Sequence, residues 1–83
     1  MLSVIIPAFN EEQNIPRIKT ELVPVLKRMN IDYEIVVVDD GSSDQTVEKV
    51  IEAKKTAREI KLFKHGRNKG LGHAVRTGIE KAS

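Results

Sequence analysis

Three carboxylates, Asp39, Asp40 and Asp44, share one short turn with Gly41, Ser42 and Ser43. Just upstream lies Ile35-Val36-Val37-Val38, a β-branched run with no polar alternation. Such a run suits a strand covered on both faces, as in a parallel sheet between helices. A buried strand whose carboxyl end opens into acids, glycine and hydroxyls is where open α/β sheets place their ligands. Asp39 and Asp40 alternate across the pleat, so only one of them points easily into a crevice. A carboxylate there suits ribose hydroxyls or the N–H edge of a nucleobase. The plainer reading is a polar turn with Ser43 or Asp44 as a helix cap. One cap accounts for one carboxylate, and this turn holds three.

Two further stretches carry chemistry. Pro7-Ala8-Phe9-Asn10-Glu11-Glu12 follows the apolar run Leu2-Ser3-Val4-Ile5-Ile6. Phe9 can lay an apolar face beside a base, or simply pack beneath its loop. The second stretch is His65-Gly66-Arg67-Asn68-Lys69-Gly70. Gly70 and Gly72 bracket a helix start, where bare backbone N–H groups can approach an anion. Arg67 and Lys69 can add charge-assisted contacts to a diphosphate, although each alone reads as a solvated surface cation. His65 and His73 have no partner at metal-ligand spacing and read as incidental. No GxGxxG follows the first strand and no GxxxxGK[ST] occurs, which argues against dinucleotide-binding and P-loop readings.

The elements that must position these residues are legible from periodicity. Leu2–Ile6 reads as a first strand stopped by Pro7. Asn14 can cap a first helix whose stripe is Ile15, Ile18, Leu22, Leu26 and Met29. Pro24 lies inside that stripe and predicts a kink near Thr20–Glu21. The second strand leads to a helix starting at Ser43–Gln45, with Val47, Val50, Ile51 and Lys54 to Ala57 on its buried side. Ile60-Lys61-Leu62-Phe63-Lys64 alternates as a third, more exposed edge strand. Leu71, Ala74, Val75, Gly78, Ile79 and Ala82 give a third helical stripe. The order is β-α-β-α-β-α, and right-handed crossovers make the sheet parallel. The fold class is therefore α/β, a three-layer α/β/α, Rossmann-like arrangement. All the strand-to-helix loops then open on one edge of the sheet.

With 83 residues the chain has room for one domain, burying only about 60–65% of its unfolded surface. It has no cysteine, which removes disulfides and thiolate metal sites and fits a reducing, cytoplasmic compartment. No apolar run is long enough to span a bilayer, and Met1-Leu2-Ser3 leads straight into a strand rather than a signal peptide. The net charge of +2 is weak evidence for an anionic partner, and no nucleic-acid partner is expected. Basic and acidic side chains are intermixed except over Lys61–Arg76, which carries Lys61, Lys64, Arg67, Lys69 and Arg76 with no acid.

SVIIPAFNEE within Leu2–Glu12, VVVDDGSSD at Val36–Asp44 and NKGLGHAV at Asn68–Val75 together resemble family 2 glycosyltransferases. The resemblance is to the polyprenyl (dolichyl) phosphate mannosyl- or glucosyltransferase branch, with motifs in family order across nearly the whole chain. It implies the amino-terminal, nucleotide-sugar-binding half of a GT-A fold. By that resemblance Pro7, Ala8, Phe9 and Glu11 line a nucleoside pocket and Asp40 contacts the base. The loop with Arg67, Asn68 and Gly70 closes over it, and Asn10 and Asp39 complete the candidate nucleotide-binding set. The implied reaction moves a hexosyl group from a GDP- or UDP-linked sugar to an acceptor such as polyprenyl phosphate, with inversion. The resemblance also implies that in the complete enzyme, expected at the cytoplasmic face of a membrane, Mg or Mn offsets the charge on the diphosphate leaving group.

The same resemblance places the metal-binding Asp-x-Asp beyond Ser83, and Asp39-Asp40, on the second strand, does not match it. No catalytic residue, metal ligand or cofactor is therefore expected within this chain, which is predicted to be an inactive amino-terminal fragment. The competing reading is a stand-alone, non-catalytic α/β nucleotide-binding or interaction module. A phospho-acceptor receiver domain would need an acid after the third strand, where Phe63-Lys64-His65 stands. Leu2–Ile6 is finally expected to be an unguarded apolar edge, pairing antiparallel with a second copy in a homodimer.

Overall fold

The β-branched run forms β2, Tyr33–Asp39, the central strand of the sheet in a computed structural model describing Met1–Ser83. β1 (Leu2–Ala8) and β3 (Ile60–Lys64) flank β2, each parallel to it, in the order β1-β2-β3. Val4 lies opposite Ile35, and Val37 opposite Leu62. Ile35 through Val38 are fully buried because helices cover both faces. Ile35 and Val37 face the larger core with Ile15, Ile18, Leu26 and Val50. Val36 and Val38 face Ala74 on the opposite side, with Ile5 and Phe63 beside them. This is the three-layer α/β/α arrangement with parallel strands that the periodicity predicts.

β1 does not stop at Pro7 but pairs on through Ala8, which stands opposite Asp39. The Leu2 amide donates to Asp32 and the Ala8 carbonyl accepts from Asp40, so even-numbered residues of β1 face β2. Pro7 thus turns its missing N–H toward the open edge, where it removes no ladder hydrogen bond.

The helix after β1 departs from a regular period. A π-helical turn, Ile18–Leu22, runs directly into α1, Val23–Arg28, and the Val23 amide donates to the Ile18 carbonyl. Pro24 follows at once, so the expected kink is absorbed as a widened turn that relieves its ring. The extra residue shifts the buried stripe to Ile15, Ile18, Val23 and Leu26. Met29, predicted on that stripe, is exposed for the same reason. Asn14 does not cap the helix; its side-chain amide donates to Glu11 instead.

α2 spans Thr46–Lys54, starting just after the predicted Ser43–Gln45, and it buries Thr46, Val50 and Ala53. Ile51, Lys54, Lys55 and Thr56, expected inside, are exposed, and of the Lys54–Ala57 stretch only Ala57 is buried. α3 spans Leu71–Lys81 and buries only Ala74 and Gly78 of its stripe, leaving Leu71, Val75 and Ile79 exposed. Gly78 lies so close to β1 that a Cβ there would overlap the Ile5 side chain.

The far end of the sheet holds a polar cluster that periodicity did not reveal. Glu34 on β2 is buried, accepting from the Ser3 hydroxyl and the Ser83 amide and pairing with Lys61 at 2.6 Å. Hydrogen bonds from Lys61, Ser3 and Ser83 lower its pKa to about 2. Glu34 thereby ties β1, β3 and Ser83, just beyond α3, to the central strand.

Candidate functional site

Parallel strands bring the three strand-to-helix loops to one end of the sheet. The first two are stitched together by side chains. Asn10, in the left-handed region at φ 53, donates its backbone amide to Ser42 Oγ and accepts the Ser43 amide at its side-chain oxygen. The Glu11 amide donates to Thr46 Oγ1, and the Glu12 amide donates to Asp44. Asn10 therefore serves as a loop staple and does not line the cleft described below.

The three carboxylates of the acidic turn have separate tasks. Asp44 accepts the amide and hydroxyl of Thr46 at the start of α2, as a cap would. Burial opposes its charge, but these hydrogen bonds and the Glu12 amide outweigh burial and hold its pKa below the usual value. Asp39 is buried on the α1 and α2 face and accepts the Ser42 amide; its Oδ1 has no partner. Asp40 alone of the three reaches the cleft, on the α3 face.

Asp40 is the junction between β2 and the loop after β3. Its Oδ1 accepts from His65 Nδ1 at 2.8 Å and from the Lys69 amide at 2.9 Å. Its Oδ2 accepts the Gly70 amide at 2.9 Å. The His65 hydrogen bond, then those from Lys69 and Gly70, hold the Asp40 carboxyl below the usual range despite its burial. His65 Nε2 reaches Thr77 Oγ1 on α3 at 2.8 Å, so the ring is held at both ends. His65 is thus a structural hub rather than an incidental residue. Its partners are far from it in sequence, so no metal-like or helical spacing marks it.

Gly70, at φ 94, occupies backbone space that side chains rarely adopt, and it ends the loop where α3 begins. The amides of Leu71, Gly72 and His73 have no acceptor within the chain, as expected for a first helical turn. The resulting cleft has a volume of about 310 Å³. Pro7, Ala8, Phe9 and Glu11 line one wall, Asp40 the floor, and Asn68, Gly70, Leu71 and Ala74 the other wall. Phe9 is 45% exposed, so its ring is not consumed by packing beneath the loop. Of the predicted set, Asn10, Asp39 and Arg67 stay outside the cleft lining. Leu71 and Ala74 are additions that a stripe reading had assigned to packing alone.

No group of three or more His, Cys, Asp or Glu side chains converges to hold a metal ion. The orphaned Asp39 oxygen stands alone, and one carboxylate does not make a divalent metal centre. The residues present do not fit such a metal. No helix is long and apolar enough to cross a membrane.

The family model described as "Glycosyl transferase family 2" matches residues 3–83. Dolichol-phosphate mannosyltransferase of Pyrococcus furiosus is 40% identical over 82 residues, covering 99% of this chain and 22% of that protein. Dolichyl-phosphate beta-glucosyltransferase of Drosophila melanogaster is 39% identical over 85 residues, covering 94% of this chain and 26% of that protein. Among solved structures, a mannosyltransferase of Pyrobaculum calidifontis in complex with GDP-Man and Mn2+ superposes with a TM-score of 0.75 at 28% identity, covering 99% of this chain and 24% of that one. S. aureus TarS 1-349 in complex with UDP-GlcNAc gives a TM-score of 0.75 at 31% identity, covering 99% of this chain and 23% of that one. The chain spans about a quarter of the length of the curated relatives it matches. The fold is thus the Rossmann-like, amino-terminal part of a GT-A glycosyltransferase, and the chain belongs to glycosyl transferase family 2.

Proposed function

We propose that this chain is the nucleotide-sugar-binding portion of a glycosyltransferase and that the nucleoside diphosphate sits in the Pro7–Ala74 cleft. The observation that carries the reading is the convergence there of an exposed aromatic face, a buried carboxylate and a helix start with free amides. Phe9 offers a stacking surface to a base. Asp40 offers an acceptor to a base N–H. The amides of Leu71, Gly72 and His73 offer donors to a phosphate. Arg67, just outside the cleft lining, is a cation available to the diphosphate once the loop closes.

In the complete protein the reaction is transfer of a hexosyl group to an acceptor such as polyprenyl phosphate. The dolichyl-phosphate relatives support that acceptor, and the GDP-Man and UDP-GlcNAc complexes support a GDP- or UDP-linked donor. The Mn2+ of the Pyrobaculum complex supports a divalent ion, with Mg as the alternative, held by residues outside this chain. The site of action is the cytoplasm, at the cytoplasmic face of a membrane for the complete enzyme. The 83-residue chain acts as one binding domain and transfers no sugar on its own. The free edge of β1 supports a further reading, a homodimer paired through Leu2–Ile6.

NMR shift mapping with UDP and GDP tests the site. Binding on the order of 0.1–1 mM is expected, with shifts at Phe9, Asp40, Asn68 and Gly70. Shifts confined to other surfaces would remove the site. A labelled nucleotide sugar turned over onto a polyprenyl phosphate by this chain, and not by Asp40→Ala, would overturn the expected inactivity.

A further inference from the structure

A carboxylate has about four lone-pair positions, two on each oxygen. On Asp40, His65 Nδ1 and the Lys69 amide fill both positions of Oδ1, and the Gly70 amide fills one of Oδ2. One acceptor position remains, on Oδ2. Two of the three donors are backbone amides of the loop, fixed by its path. The third is a side chain, and it alone decides whether Oδ1 is saturated.

His65 is held to that task from its far side. Asp40 is an ionised acceptor, so Nδ1 carries the proton and donates. A neutral ring then has Nε2 as an acceptor, and the Thr77 hydroxyl is at 2.8 Å to donate to it. The His65 side chain is only 8% exposed, so water does not compete easily for either nitrogen. Gly41 closes the same corner, because the Arg67–Asn68 backbone runs directly against it.

Nucleobases differ in what they ask of such a group. Guanine presents a ring N–H beside an exocyclic amine, a donor pair that engages both oxygens of a carboxylate. Uracil presents one ring N–H between two carbonyls, and needs one acceptor with donors beside it. The Asn68 side-chain oxygen already accepts the Gly70 amide, which leaves its amide nitrogen free as such a donor on the cleft wall.

We propose that His65 is a specificity-positioning residue: by saturating Asp40 Oδ1 it leaves one acceptor and biases the cleft toward uracil over guanine. The inference rests on the nucleotide-binding reading above and names the donor class as a uridine diphosphate sugar. His65 acts through Asp40 and does not touch the ligand. Removing its donor restores one free position on each Asp40 oxygen, the arrangement that guanine needs.

The experiment compares UDP and GDP affinities of the 83-residue chain with those of His65→Ala and His65→Asn. The native chain is expected to favour UDP by about tenfold, the worth of one charge-assisted hydrogen bond. His65→Ala should bring that ratio close to one. His65→Asn places an amide donor where Nδ1 stood and should keep the preference. A general loss of folding weakens both nucleotides alike and does not move the ratio. A native preference for GDP, or a ratio unchanged in His65→Ala, would overturn the proposal. The ligand-free chain gives an independent arm, in which ¹⁵N signals should show the Nδ1–H tautomer of His65. Exchange protection of the Lys69 and Gly70 amides should fall in His65→Ala while sheet amides hold. If neither nucleotide binds the native chain, the nucleotide reading and the base preference both fail. That second arm then decides whether His65 positions Asp40 at all, and unchanged protection would refute it.

Discussion

The α-carbon of Gly41 and the amide nitrogen of Asn68 approach so closely that a Cβ on Gly41 would lie 2.5 Å from that nitrogen. Gly41 also has φ 78, a conformation that a side chain strains in any surroundings. The acidic turn and the loop after β3 are therefore pressed backbone to backbone, with Asp40 bridging them. Gly41→Ala should cost about 2–4 kcal/mol, from left-handed strain plus overlap with an unyielding backbone. A urea melt measures the loss. Gly66→Ala is the matched control, since nothing lies within 4 Å of a Cβ there.

Asp40 carries two roles, and one substitution exposes both. Asp40→Asn replaces an ionised acceptor by an amide that must turn donors toward the Lys69 or Gly70 N–H. We expect the urea midpoint to fall and nucleotide affinity to drop about tenfold or more. A melt identical to the native one would show that the loop does not depend on Asp40. An affinity unchanged alongside a lower midpoint would confine Asp40 to the scaffold.

Much of this architecture was legible beforehand, and the misses have physical causes. β2 is readable from its β-branched run, and β3 from the alternation of Ile60-Lys61-Leu62-Phe63-Lys64. In sequence Pro7 reads as a stop for β1, whereas the edge position that makes it harmless is a property of the assembled sheet. Met29 falls off the stripe because a 3.6-residue period does not hold through a segment that contains a π-turn. His65 carries no signal in the sequence because its partners, Asp40 and Thr77, are joined to it only by tertiary structure. The pleat alternation that lets only one of Asp39 and Asp40 into the cleft and the capping role open to Asp44 were both legible; which aspartate enters, Asp40, is set by the loop after β3 that packs on it.

Acid should weaken the fold in a defined window. Glu34 has a pKa lowered to about 2 in the folded chain, against about 4.3 unfolded. Asp40 and Asp44 are shifted in the same direction. A depressed carboxyl stabilises above its unfolded pKa, and the contribution disappears as pH falls through the folded value. Urea midpoints should therefore be flat near neutrality, fall from about pH 4.5, and continue falling toward about pH 2. Glu34→Gln removes one of these groups and should flatten part of that slope. A midpoint that rises between pH 5 and 3 would contradict the assignment.

The edge of β1 makes the last prediction, and the strand's parity decides how to test it. Even-numbered residues face β2, so Ser3, Ile5 and Pro7 present their backbone groups to the open side. Pro7 offers only a carbonyl there, which leaves the amides of Ser3 and Ile5 as outward donors. Antiparallel pairing of two copies must use those amides, and no charged side chain on β1 opposes it. Val4 is a poor place to interfere, because its side chain packs into the core and its amide faces β2. Ser3→Pro removes one outward amide without touching the ladder to β2. It also removes the hydroxyl that donates to Glu34, which Ser3→Ala controls for. Sedimentation over a range of concentrations should show a dimer for the native chain and for Ser3→Ala, and a shift toward monomer for Ser3→Pro. A native chain that stays monomeric at high concentration, or a dimer unmoved by Ser3→Pro, would show that this edge does not pair.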